Sequence, residues 1–171
     1  MFALICFLAG IILIAVQTSL VAALPAWLPF YNLLIPYVIF LSLFRRASEA
    51  LPQILWVGLV MGMISGAPST VYLMVFIILF ILFRNIKNYF QLVDSFLFVI
   101  LIAVGVVIEH LVFGVVSILQ DLAVAPSLFT AYVVFIHFMW AVLTGPLLFA
   151  IFSRAFYGMD RYQARRSEKL S

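Results

Sequence analysis

The stretch VGLVMGMISGAPST, Val57–Thr70, sets Gly58, Gly62 and Gly66 at four-residue intervals inside an apolar run. Four residues is close to one helical turn, so the three glycines share a helix face. In water each would cost a helix about 1 kcal/mol against alanine. In lipid, helices associate through close backbone approach, which small residues permit. The meaning of the run therefore depends on its solvent, and the composition identifies that. Of 171 residues, 68% are hydrophobic and 9% charged, with a mean hydropathy of +1.32. Soluble domains are about half apolar and about one-quarter charged, and a chain of this size has too little interior for such an excess. The bilayer is the solvent. Composition thus predicts an all-α polytopic membrane protein without a soluble domain, and Gly58, Gly62 and Gly66 form a packing groove widened at its end by Ser65.

Hydropathy and helix breakers divide the chain into six apolar segments, over residues 2–24, 30–44, 52–66, 70–83, 95–119 and 128–153. Residues 1–156 are read as the membrane domain and 157–171 as a basic cytoplasmic tail. A full crossing takes about 20 helical residues, which the first, fifth and sixth segments supply. The second reaches that length only if Ala26–Tyr31 join it, with Trp27 and Tyr31 as interfacial anchors. The third and fourth are short. Two thin spans suit them best; a re-entrant hairpin turning at Gly66–Ser69 is the alternative, tolerated only where protein or water covers its backbone.

All nine basic residues fall in three places: Arg45/Arg46, Arg84/Lys87, and a tail holding Arg154, Arg161, Arg165, Arg166 and Lys169. The alternate connections carry none. Six spans with both termini cytoplasmic place every basic group inside, as the positive-inside rule requires, and a re-entrant hairpin gives the same sidedness. The net basic tail suits anionic headgroups, and its charge is too sparse for a nucleic-acid site. Met1–Leu24 lacks the basic start of a signal peptide and is read as a retained span. Cys6 is the only cysteine, so no disulfide forms within the chain.

Ionisable groups inside a membrane are costly and face a bundle interior or a wet cavity. Glu109 and His110 lie in the fifth segment, His137 in the sixth and Gln17 in the first. At 1.5 Å per residue, Gln17, Glu109 and His137 stand roughly 10–15 Å inside the outer ends of their helices. They are expected to meet as a structural hydrogen-bond cluster with a glutamate–histidine contact; an outward-opening ligand pocket is the alternative. Gly105, one turn before Glu109, leaves room for a neighbouring helix. Pro36 and Pro146 are read as kinks in the second and sixth spans.

No chemistry-bearing motif emerges. GMISG separates Gly62 from Ser65 by two residues, which does not match the GxSG of intramembrane serine proteases. A metal site would need ligand spacing such as HxxxH, and the chain has none; a Walker loop and a redox cysteine pair are lacking too. The reading is a protein without catalytic residues, metal or cofactor.

Across most of its length the chain resembles the rod shape-determining MreD family of bacteria. The likeness rests on Gln17, NLLIPYVIFLSLFRR, GLVMGMISGAPS, VVIEHLVF and a proline in the last span before a basic tail. Family members often carry an acid one turn before the Ser-Gly, where this chain has Gly62. The resemblance implies a non-enzymatic inner-membrane scaffold of the cell-elongation machinery. Its expected partner is MreC, a single-span coiled-coil protein, linking it to the MreB filament and peptidoglycan synthases. It also implies a fold similar to the substrate-binding subunits of energy-coupling-factor transporters. From that likeness comes the alternative function, a small-solute (vitamin-type) transporter subunit, with Ala15, Ser19 and Ala23 as a small-residue docking face.

Overall fold

The computed structural model describes residues 2–23, 31–65, 69–86, 95–119 and 128–168. Among these residues the secondary structure is entirely helical: α1 Phe2–Ala23, α2 Leu34–Phe44, α3 Ala47–Ile64, α4 Ser69–Ile86, α5 Ser95–Leu119 and α6 Leu128–Glu168. Those over Ala47–Ile64, Phe96–Leu119 and Tyr132–Arg154 are long and apolar enough to cross a membrane. Polarity is arranged to match: Phe135, Leu143 and Leu147 face outward, while Gln17, Asn32, Ser42, Gln53 and Glu109 are buried. Lipid accepts the former, and the interior supplies hydrogen bonds to Gln17, Asn32, Ser42 and Glu109. The chain is a helical membrane protein.

At the centre stands α2. Every residue from Leu34 to Leu43 is buried, because α1, α3, α4, α5 and α6 all pack against it. A helix that is apolar all round is stable only in such a position. Here the structure departs from the segment predicted over 30–44. Tyr31–Leu33 lie outside the helix, so α2 has 11 residues and is about 16 Å long, roughly half the hydrocarbon thickness. Pro36 explains the boundary. It sits in the first turn of α2, where a missing N–H breaks no helical bond, so it starts the helix and does not kink it.

The third helix also starts earlier than 52–66 suggested. Arg46 is extended and opens α3, its carbonyl accepting from Glu49 N at 3.1 Å and Ala50 N at 3.0 Å. Pro52 therefore lies within the helix and costs it only the bond to the Ser48 carbonyl. At the other end α6 runs through Pro146 to Glu168, so the segment read as a tail is helical as far as that residue.

The glycine run does bring helices together. A Cβ on Gly58 would stand 3.1 Å from Leu73 Cα and 3.3 Å from the Phe76 ring, placing the α3 face directly on the α4 backbone. Gly62 is buried one turn further along. Ser65 caps α3, its Oγ near the Gly62 carbonyl at 3.5 Å. Gly66, Trp27, Lys87, Lys169 and the turn between α3 and α4 lie outside the described residues. On α5, a Cβ at Gly105 would come within 2.7 Å of Ile35 Cγ2, so that glycine admits α2.

Candidate functional site

A helix that begins inside a membrane exposes N–H groups that lipid cannot satisfy. Around the start of α2 each one is accounted for. Leu33 N donates to Gln17 Oε1 at 2.9 Å, and Leu34 N to Asn32 Oδ1 at 3.1 Å. Ile35 N donates to the Asn32 carbonyl at 3.1 Å. Pro36 has no N–H to satisfy. Asn32 thus caps the helix with its side chain and main chain together, the local turn chemistry for which Asn is suited.

The other end of the Asn32 amide reaches α5: Nδ2 donates to Glu109 Oε1 at 2.9 Å. Both side chains are buried, Asn32 at 7% and Glu109 at 7% exposure. A carboxylate oxygen and an amide hydrogen thereby satisfy each other. This contact corrects the predicted pairing, because the carboxylate makes no bond to His137 or Gln17. Tyr31 adds a tie to α6. Its hydroxyl lies 2.7 Å from Thr144 Oγ1, and Thr144 Oγ1 donates to the Trp140 carbonyl at 2.7 Å. Having one hydrogen, Thr144 must accept from Tyr31. Pro146, two residues on, leaves the Val142 carbonyl without its usual helical donor.

The histidines form a second layer. His110 Nδ1 is 2.8 Å from the Val106 carbonyl; a carbonyl only accepts, so Nδ1 carries a hydrogen. The His110 and His137 rings are in tilted contact, with centroids 5.0 Å apart and planes at 60°. Both His137 nitrogens are covered and hydrogen-bonded to nothing among the described residues.

Gln17, Glu109, His110 and His137, together with Asn32 and Tyr72, line one cavity of about 660 Å³. Ser65 reaches it from the end of α3. A larger groove of about 820 Å³ between α5 and α6 is lined by apolar side chains, Pro146 among them, and by none of the polar site residues. No group of three or more His, Cys, Asp or Glu side chains converges to hold a metal among the described residues. The polar cavity can therefore brace helices and present hydrogen-bonding groups to a small molecule. Asn32 was not singled out as a site residue in the sequence, and Tyr31, read there as an interfacial anchor, is instead buried and tied to Thr144. The available signal was an asparagine directly before an apolar run, the usual position of a helix cap.

No family model, curated protein or solved structure matches this chain.

Proposed function

We propose that this protein is a non-enzymatic scaffold of the bacterial cell-elongation machinery, of the MreD kind, set in the inner membrane by six spans with both termini cytoplasmic. The observation that supports this reading is the use made of the intramembrane polar groups. Gln17, Asn32 and Glu109 satisfy a buried helix end and one another, which is bracing for a rigid bundle. The confinement of basic residues to alternate connections supports the orientation. A braced bundle of this kind suits a platform on which other membrane proteins assemble. Its partner is a single-span coiled-coil protein of the MreC type, through which it meets peptidoglycan synthases and the MreB filament. The resemblance in sequence is the warrant for naming those partners.

Affinity purification of the tagged chain from a rod-shaped host tests this. A single-span coiled-coil protein is expected to co-purify in mild detergent. Recovery of transporter ATPase subunits in its place would assign the chain to solute uptake.

A further inference from the structure

We propose that the polar cavity is a binding site for a small amine-bearing solute, with the Glu109 carboxylate receiving the ammonium group. The inference stands apart from the scaffold reading. It rests on how charge, hydrogen bonding and aromatic surface are distributed around one space. The cavity measures about 660 Å³, within the roughly 300–1,000 Å³ usual for small-molecule sites.

Charge selects the ligand class. Among the described residues that line it, Glu109 is the only Asp, Glu, Lys or Arg. A cation therefore meets a carboxylate, while an anion meets no fixed positive partner. Geometry gives the carboxylate a fixed aim: Oε1 is held by Asn32 Nδ2 at 2.9 Å, and Oε2 takes no partner among the described residues. His110 lines the same cavity, and in the neutral tautomer that its Nδ1 contact with the Val106 carbonyl at 2.8 Å selects, Nε2 is an acceptor. A cavity lined by both residues suits a group with several hydrogens to donate, which an ammonium has.

Aromatic surface points the same way. Tyr72 and Phe113 both line the cavity, with ring centroids 5.1 Å apart and planes at 72°. Ring faces attract cations, and the attraction grows where water is excluded. The neighbouring His137 nitrogens are covered and unbonded among the described residues, so they gain a hydrogen bond only where the ring turns to meet a polar ligand atom, removing the penalty of an unsatisfied buried group. Ala22, Ile64 and Ser65 line the same cavity, carrying it to the C-terminal ends of α1 and α3.

The test uses the full-length protein in detergent with three probes of one shape: benzylamine, benzyl alcohol and benzoate. Calorimetry is expected to show benzylamine binding most tightly and benzoate least. Glu109→Gln keeps an oxygen for Asn32 and should weaken benzylamine by about tenfold or more, equivalent to roughly 1.4 kcal/mol, without changing benzyl alcohol. If that variant fails to fold, Phe113→Leu carries the test, and benzylamine affinity should fall there too. Benzoate binding as tightly as benzylamine, absence of benzylamine binding, or unchanged benzylamine affinity in the folded variant overturns the proposal.

Discussion

Removing the Asn32 side chain is the sharpest probe of how this bundle is held. Asn32→Ala takes away the acceptor 3.1 Å from Leu34 N and the donor 2.9 Å from Glu109 Oε1. Each partner left unsatisfied in a buried site costs about 1–3 kcal/mol, giving about 2–6 kcal/mol in all. Glu109→Leu removes one partner from the same contact and should cost about 1–3 kcal/mol. The two substitutions share a bond, so their effects should not add. The double variant is expected to be more stable than the sum of the singles by about 0.5–3 kcal/mol. Equilibrium unfolding by SDS titration in mixed micelles, read from tryptophan fluorescence, measures all four proteins. Asn32→Ala with unchanged stability would refute the capping role. Effects that add within about 0.5 kcal/mol would show that the Asn32–Glu109 bond contributes nothing.

Gly58→Leu should lower stability by about 1–3 kcal/mol or prevent folding, and Gly58→Ala should already be measurable, since its Cβ meets the Leu73 backbone at 3.1 Å; thermal melts of both, matching the unsubstituted protein, would show that α3 and α4 do not meet there. Gly62→Leu should be worse than Gly62→Ala for the same reason. Tyr31→Phe removes the bond to Thr144 at 2.7 Å and should cost about 0.5–1.5 kcal/mol, with no penalty in the melt contradicting the tie between the α2 entrance and α6. In a Cys6→Ser background, cysteines at Ser69 or Ser127 should react with an impermeant thiol reagent from outside, and those at Ser48 or Ser167 only after the membrane is opened; the reverse pattern would overturn the orientation.

Helices were easiest to read where apolar runs were long. The fifth segment was predicted over 95–119 and α5 spans Ser95–Leu119, because nothing inside it competes with the helical pattern. Prolines misled the reading elsewhere. Pro36 suggested a kink and the third segment was drawn from residue 52, yet Pro36 opens α2 and Pro52 lies inside α3; proline fixes a dihedral and removes a donor without revealing which turn it occupies. Hydropathy could not show that α2 is enclosed on every side, since a lipid-facing run and a core run are equally apolar. In the site, depth along each helix pointed to Gln17, Glu109 and His137, and all of them line the cavity. Their partners were not legible: hydrogen bonding depends on helix rotation and on the chain entering α2, where Asn32 sits. A short polar residue in a turn has a local signal, but its bond to Glu109, 77 positions away, is a product of tertiary packing.

Cell shape after depletion tests the scaffold claim most directly. In a rod-shaped bacterial host, verified depletion of this protein should produce round, widened cells, and re-expression should restore rods, with vitamin uptake unaltered throughout. Rods that persist after verified depletion, accompanied by loss of uptake of one vitamin, would contradict the scaffold function and make the chain a transporter subunit.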